Sequence, residues 1–518
     1  MELITLKGRK LYLLMKIICG TSFMMYGYDA GVLGGVLLHP PFLEAIGNRT
    51  GDYVIPMIVA SYDLAACVTA IGVAFFAFNI GRRGTVVLGK IVAIIGSVIQ
   101  ASSYSVSQLI VVRLCTGFAI GCISSAVPTY LNETGIEIGD RGPANAFNAI
   151  LLISGVPLAY WIDYGFTFSD AQWSWRVPII FQCIFAIISG GTMWFLPDTP
   201  RWYYARNRFE EGDAVLAQLN DTDVDSEKVQ YTRREIMANI EAELEANSSL
   251  RWQDFLTSGI VDNTRMKIVR RICICFWMPM IREWMGSSLI AYYSSVILST
   301  VAKPSLVSLL SGVLNIFFTL GCVPLYFTVE RVGRRSVLLY GAIAMTVLIS
   351  AFTALVATGP GHPAIQWASI AIIFLFLATF GYAWQGCVWW YCSRHLRTHL
   401  STLGAEIAPL EYRHIGAGAC ATGEWLMTFI TVFAGPIAFA RIGWYFWLWV
   451  ISCNVIAIVF VYLLCPETGG KTLEQVDYLF IDTRFAGLRK DFDVTPEDME
   501  EYAMSEKQRK DDLKEDLD

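Results

Sequence analysis

Long apolar runs alternate with short polar segments along most of the chain. A transmembrane helix needs about 20 mostly apolar residues, and runs of that order recur in two groups of six. These runs lie near residues 13–36, 54–78, 85–104, 108–130, 144–164 and 177–196, and then near residues 270–299, 306–329, 336–358, 366–391, 415–439 and 443–464. The pattern predicts an all-α membrane protein whose twelve transmembrane helices form two six-helix bundles.

Polar segments divide the chain around these two groups. Residues 1–200 and 268–470 are predicted to form the N-terminal and C-terminal bundles. Residues 201–267 are rich in Glu, Asp, Lys and Arg, which predicts a cytoplasmic central loop with solvated amphipathic helices. Residues 471–518 are similarly charged and are expected to form a cytoplasmic tail.

Composition supports a location within a lipid bilayer. The chain is 55% hydrophobic and only 16% charged, with a net charge of −6. Soluble proteins carry roughly 25% charged residues, so the composition excludes a soluble, a disordered and a fibrous protein. A negative net charge also argues against a nucleic-acid partner.

Enzyme chemistry and bound cofactors are not expected. The 13 cysteines lie scattered within apolar runs without metal-ligand spacing, and the five histidines are scattered or lie within residues 392–403. The sequence contains no combination of nucleophile and base, and no phosphate-binding loop. We therefore expect no cofactor and no metal, and we expect that the protein is not an enzyme.

Basic residues predict the orientation in the membrane. Arg82, Arg83, Arg141 and Arg413 lie in loops that follow even-numbered spans, whereas the loops on the other side contain few basic residues. Cytoplasmic loops carry the excess of Lys and Arg, so both termini are predicted to be cytoplasmic. The plasma membrane is the default location.

A short basic motif occurs twice at equivalent positions. Gly81-Arg82-Arg83 follows the second span of the first group, and Gly333-Arg334-Arg335 follows the second span of the second group. Matching turns at matching topological positions indicate two structurally related halves.

Several further motifs accompany this repeat. They are Gly27-Tyr-Asp-Ala-Gly31, Val127-Pro-Thr-Tyr-Leu-Asn-Glu133, Leu196-Pro-Asp-Thr-Pro-Arg-Trp202, Glu330-Arg-Val-Gly-Arg-Arg335, Glu406-Ile-Ala-Pro409 and Pro466-Glu-Thr-Gly-Gly-Lys-Thr-Leu-Glu474. With them the chain resembles the major facilitator superfamily, and within it fungal members of the sugar porter family, over about residues 10–480. The resemblance implies alternating access, in which two bundles rock around a central site for a small solute and, in symporters, a proton.

Charged residues at the cytoplasmic helix ends form a candidate gate. Pairs between opposite charges there can close the inner side and must break when it opens, although basic loops that only set topology also fit the pattern. Where the family usually carries an Asp before the first Gly-Arg-Arg, this chain has Phe78. The candidate gate residues are Arg82, Arg83, Glu133, Arg141, Glu330, Arg334, Arg335, Glu406 and Arg413.

Ionisable residues inside the spans are costly and usually functional. The resemblance implies that Asp29 and Arg113 form a pair controlled by protonation, as in proton-coupled sugar porters. A permanent structural ion pair is the alternative. Asp63 is also predicted to lie within the membrane, without an assigned role.

The predicted solute site departs from the family pattern in span seven. Arg282, Glu283 and Ser288 stand where the family carries two glutamines and an asparagine, and Glu424 replaces an amide in span eleven. Direct solute contact and a self-contained charge cluster both fit these substitutions. The candidate solute-binding residues are Arg282, Glu283, Ser287, Ser288, Tyr292, Tyr293, Asn315, Gln385, Trp389, Glu424, Trp425 and Thr428.

About a dozen residues, 392–403, are extra relative to the family. They either loop out at the cytoplasmic end of span ten or reflect an error in the gene model.

The sequence as a whole predicts transport of a sugar or related polyhydroxylated solute by proton symport. A nutrient sensor that does not transport and a facilitator without proton coupling remain open as alternatives. The solute also remains open among di- or oligosaccharides, as the resemblance of Glu283-Trp284 to fungal disaccharide porters implies, polyols, sugar acids and quinate-like carboxylates, and the oligomeric state is open as well.

Overall fold

A computed structural model describes residues 6–49, 51–135, 141–249, 268–358, 362–385, 413–467, 480 and 486–488. The first half contains six long helices. They are α1 (Gly8–Val36), α3 (Val54–Ile80), α4 (Arg82–Ala101), α5 (Val106–Thr134), α6 (Arg141–Phe166) and α7 (Trp173–Phe195). A short helix, α2 (Pro40–Ala45), lies between α1 and α3.

Three helices of the central loop follow the first half: α8 (Pro200–Ala205), α9 (Phe209–Asn220) and α10 (Glu227–Ser249). They bury their own small apolar core, which includes Tyr204, Leu216, Val229 and Ile236. The predicted amphipathic helices are therefore present in this segment.

The second half has the same general arrangement. Its helices are α11 (Ile268–Trp284), α12 (Ser287–Tyr292), α13 (Ser294–Ser299), α14 (Val307–Val332), α15 (Arg334–Ala357), α16 (Pro363–Phe380), α17 (Arg413–Ile442) and α18 (Phe446–Leu464). A π-helical segment, Gly381–Gln385, continues α16. The insertion at 392–403, with Trp389 and Glu406 on either side of it, lies outside the described residues.

Nine stretches of the described chain are long and apolar enough to cross a membrane, and the last of them, Gly418–Leu464, includes both α17 and α18. Side chains on the outer surface are themselves apolar: on α4, Ile91, Ile95 and Val98 are 47%, 54% and 51% exposed. Such a surface suits lipid and is unfavourable in water. The predicted all-α membrane architecture is confirmed.

Two helix pairs make the most extensive contacts between the two halves. α3 packs against α17, and α6 packs against α14. We call the side on which α1 begins and α18 ends the basic face, since Arg82, Arg83, Arg334 and Arg335 lie there.

Hydrogen bonds between the halves join them away from the basic face. Ser295 Oγ donates to Gly34 O at 2.7 Å, and Tyr160 Oη donates to Ala291 O at 2.9 Å. Nearer the middle, Thr319 Oγ1 donates to Ile153 O at 3.3 Å. Within the described ranges, the halves are therefore in contact at the face opposite the basic one.

Candidate functional site

Span seven is interrupted where the sequence predicted one continuous helix over residues 270–299. α11 ends at Trp284, and α12 begins at Ser287 after Gly286, whose φ is +96°. A side chain at Gly286 would also place a Cβ 2.9 Å from Val450 Cγ1, so glycine is required by both backbone and space. Hydropathy does not reveal this turn, which brings the end of one helix and the start of the next to the same cavity.

A cavity that is partly open to solvent lies between the two halves, and its empty space, open solvent included, is about 600 Å³. The first half contributes Tyr26, Gly27, Ala30, Leu152, Ile153 and Val156; the second contributes Arg282, Glu283, Ser287, Ser288, Ala291, Tyr292, Phe318, Gln385, Glu424 and Thr428. A solute in this cavity would touch both halves.

A cluster of three charges forms the most polar wall of the cavity. Arg282 Nη2 donates to Glu424 Oε1 at 2.9 Å and also to Glu283 Oε1. Ser288 Oγ donates to the other oxygen of Glu283. We call Arg282, Glu283 and Glu424 the charge triad; all three side chains are buried, yet each lines the cavity.

Tyr292 connects the cavity to a buried carboxylate. Its ring lines the cavity, and its hydroxyl donates to Asp63 Oδ1 at 3.3 Å across the boundary between the halves. Asp63 is fully buried, and its Oδ2 has no hydrogen-bond partner among the described residues. The sequence placed Asp63 in the membrane but did not connect it to the cavity.

Three of the predicted solute-binding residues do not line the cavity. Tyr293 is buried and donates from its hydroxyl to Val432 O at 3.1 Å. Asn315 is fully buried, and its amide donates to Ser311 O at 2.9 Å. Trp425 packs against Tyr26, with ring centroids 5.4 Å apart and the ring planes tilted by 35°. These three residues support the walls without lining the cavity, whereas Trp389 lies outside the described residues.

Asp29 and Arg113 form a buried ion pair inside the first half. Arg113 Nη1 lies 3.2 Å from both carboxylate oxygens of Asp29, and the two side chains are 1% and 0% exposed. The guanidinium carbon also lies 4.2 Å from the ring centroid of Tyr62, a cation–π contact. Neither charged residue lines the cavity, so this pair is separate from the charge triad.

At the basic face, the predicted gate residues with described contacts interact within each half. Arg82 Nη2 donates to Glu133 Oε1 at 3.0 Å, and Thr199 Oγ1 donates to Glu133 Oε2 at 2.6 Å. Arg83 Nη1 donates to Leu196 O at 3.0 Å. The side chains of Arg141, Glu330 and Arg413, and the whole of Glu406, lie outside the described part.

Two carboxylates that the sequence analysis did not select complete these turns. The backbone N–H groups of Arg82 and Arg83 donate to Asp198 Oδ1 at 3.2 and 3.4 Å. In the second half, the N–H groups of Arg334 and Arg335 donate to Glu467 at 3.0 and 3.1 Å.

Each carboxylate follows the last helix of its half within a Pro-acid-Thr sequence. An anion at a helix N-terminus is stabilised by the free N–H groups there. The repeated Pro-acid-Thr was the signal that could have identified both residues.

Burial raises the pKa of Asp198 above its ordinary value, while the N–H groups of Thr199 and Arg83 and the charge of Arg82 act in the opposite direction. The hydrogen bonds to Asp198 therefore stabilise its ionised form and offset part of the cost of desolvation.

Asp198→Ala is expected to lower the thermal unfolding midpoint by roughly 5 °C, since it leaves two helix-end N–H groups without their acceptor. Glu467→Ala should have a matching effect from the other half. Fluorescence-monitored unfolding of the purified protein measures both, with the exposed Asp223→Ala as the control. Midpoints equal to that control would contradict the capping role.

Within the described residues, no group of three or more His, Cys, Asp and Glu side chains is arranged to hold a metal ion.

Comparison with known proteins gives a consistent result. Residues 14–480 match the family described as Sugar (and other) transporter. The MFS-type transporter oryC of Aspergillus oryzae is 28% identical, covering 94% of this chain and 89% of its own length. The galactose-proton symporter of Escherichia coli K12 is 26% identical, covering 88% of this chain and 91% of its own length.

Among solved structures, the proton:xylose symporter XylE bound to 6-bromo-6-deoxy-D-glucose has a similar fold. The TM-score is 0.72 at 19% identity, covering 91% of this chain and 99% of XylE. Two helical halves around a central cavity, together with the family match, lead to one conclusion: this chain is an integral membrane transporter that belongs to the Sugar (and other) transporter family.

Proposed function

We propose that the protein moves a sugar or related polyhydroxylated solute across the membrane by alternating access, together with protons. The observation that supports this most is the cavity, because residues of both halves line it. When the halves rock, a solute held there is exposed first to one side of the membrane and then to the other. The relatives whose names specify galactose and xylose support the same solute class.

The lining groups suit neutral hydroxyls. Gln385 and Ser287 present amide and hydroxyl groups that both donate and accept hydrogen bonds, and Tyr26 and Tyr292 offer aromatic faces and hydroxyls. Such groups can pair with the donors and acceptors of a polyol without adding a charge.

The charge triad favours a neutral solute over a carboxylate. Arg282 already donates to Glu283 and Glu424, so the formal charge of the triad with both carboxylates ionised is −1. An anionic solute would therefore meet net repulsion from the triad.

Proton coupling rests on the Asp29–Arg113 pair. Protonation of Asp29 would neutralise the carboxylate and release Arg113, which changes the balance of charges inside the first half. We further infer that the basic face is cytoplasmic, with both termini on that side, and that the protein lies in the plasma membrane.

Uptake of labelled solutes in cells that lack their own sugar transporters tests the function. The panel contains D-glucose, D-galactose, D-xylose, sorbitol, lactose and quinate, each measured with and without a proton uncoupler. We expect uptake of at least one neutral solute and a strong loss with the uncoupler. Surface expression of the protein without uptake of any panel member would overturn transport, and uptake unaffected by the uncoupler would overturn proton coupling.

A further inference from the structure

We propose that the cavity contains a second proton-binding site, Glu424, which takes up one proton together with each solute, so that two protons accompany each transport cycle. This inference rests on the proposed function. It assigns Glu424 a role distinct from that of Asp29, which is sealed within the first half.

The charge balance of the triad requires one more positive charge. One guanidinium compensates two carboxylates, and the side chains of Arg282, Glu283 and Glu424 are 4%, 2% and 11% exposed. An uncompensated charge in a poorly solvated site is costly, and binding of a proton is the usual way in which a carboxyl group removes that cost.

Contacts within the triad identify Glu424 as the proton acceptor. Glu283 receives Arg282 on one oxygen and Ser288 on the other, so both its oxygens are bonded as an anion requires. Glu424 accepts one hydrogen bond from Arg282, through Oε1 alone. Its side chain also lines the cavity and remains 11% exposed, which gives a proton from the cavity water access to it.

Charged and titratable groups of the neighbouring helices do not supply the missing charge. α11 faces Glu424 with Arg282 and Glu283. Tyr26 from α1 lines the same cavity, and Asp63 from α3 accepts from Tyr292 beside it. Tyr26 is neutral and Asp63 is acidic. Arg113 is already paired with Asp29, so among the described residues these groups add no second cation to the triad.

The position of Glu424 in the cavity wall couples its protonation to solute binding. A solute that fills the cavity displaces water from Glu424, which disfavours the anion and therefore favours uptake of a proton. By thermodynamic linkage, the bound proton strengthens solute binding to the same extent. After the halves rock, the solute leaves, water returns, and Glu424 releases the proton to the other side.

Infrared difference spectra test the proton site without any solute. The spectra compare purified protein at about pH 5 and about pH 8, a range that covers a perturbed carboxyl group. We expect a carbonyl band of a protonated carboxylic acid that persists in Asp29→Asn and disappears in Glu424→Gln. Glutamine keeps a carbonyl oxygen that can accept from Arg282, which favours retention of the fold. An unchanged band in folded Glu424→Gln would overturn the proposal.

The accumulation ratio tests the stoichiometry. In proteoliposomes, each coupled proton contributes about a tenfold accumulation per pH unit of gradient. With D-glucose, D-galactose and D-xylose as probes, Glu424→Gln should lower the steady-state accumulation ratio about tenfold per pH unit of gradient, a quantity that does not depend on the rate of transport. The double variant with Asp29→Asn should not accumulate solute at all.

A wild-type accumulation ratio in Glu424→Gln would overturn the second proton. Loss of solute exchange without a gradient, together with loss of the infrared band, would assign Glu424 to solute binding as well as to proton binding. If the wild type transports none of the three sugars, the proposed function fails, whereas the infrared result still decides whether Glu424 binds a proton.

Discussion

Replacing Arg282 by alanine is expected to lower the thermal unfolding midpoint by roughly 5 °C and to abolish uptake. The change removes the guanidinium that bridges Glu283 and Glu424, and leaves two carboxylates buried side by side. Removal of one partner from a buried ion pair costs about 3–5 kcal/mol. Unfolding of the detergent-solubilised protein, monitored by fluorescence, measures the shift.

A neutralised triad provides the matched control for Arg282→Ala. In the triple variant Arg282→Gln, Glu283→Gln and Glu424→Gln, no charge remains unpaired, so most of the lost stability should return. Uptake should remain impaired because the proton site at Glu424 is removed. A triple variant as unstable as Arg282→Ala would show that packing, and not charge, accounts for the loss.

Asp29→Asn is expected to lower the maximal solute accumulation about tenfold for each pH unit of gradient, since asparagine carries no exchangeable proton. Exchange of labelled for unlabelled solute should persist, because it needs no net movement of protons. Accumulation and exchange are measured in the same proteoliposomes, with a protonophore added at the end to collapse the gradient.

The exposed Asp170→Asn is the matched control for this substitution, since it makes the same chemical change outside the ion pair. Undiminished accumulation in Asp29→Asn would rule out a proton-coupling role. Loss of both exchange and thermal stability would instead identify the Asp29–Arg113 pair as a permanent structural contact.

The all-α membrane fold was predictable because lipid exposure leaves a direct mark on composition. α4 carries apolar side chains on its outer surface, where Ile91 and Ile95 lie, as well as on the side that faces the core. Hydropathy detects a helix that is apolar on both sides. The triad was also found in the sequence, since Arg282, Glu283 and Glu424 are rare residues for a transmembrane span.

Other parts of the site depend on contacts that a linear pattern does not contain. The interruption at Gly286 depends on a single positive φ and on Val450 of a different helix. Tyr292 and Tyr293 are neighbours in sequence, yet their side chains point in different directions. Tyr292, the last residue of α12, lines the cavity, whereas Tyr293 donates to Val432 O of α17.

Similarly, Asp198 and Glu467 cap helices that begin 116 and 133 residues before them, as the donors Arg82 and Arg334 show. Chain separation of this size explains why the Pro-acid-Thr repeat was visible in the sequence while its function was not.

Three of the contacts that join the halves away from the basic face share one chemical property, whereas Arg441 joins Asp52 and Tyr53 through side chains on both sides. Ser295, Tyr160 and Thr319 all donate from a side chain to a backbone carbonyl of the other half, those of Gly34, Ala291 and Ile153. A backbone carbonyl remains when its own side chain changes, although at Gly34 a Cβ would overlap Tyr160 Oη and would disturb the contact. Ala291 and Ile153 line the cavity, so substitutions there can reshape the cavity during evolution while the carbonyl acceptors of Tyr160 and Thr319 are kept.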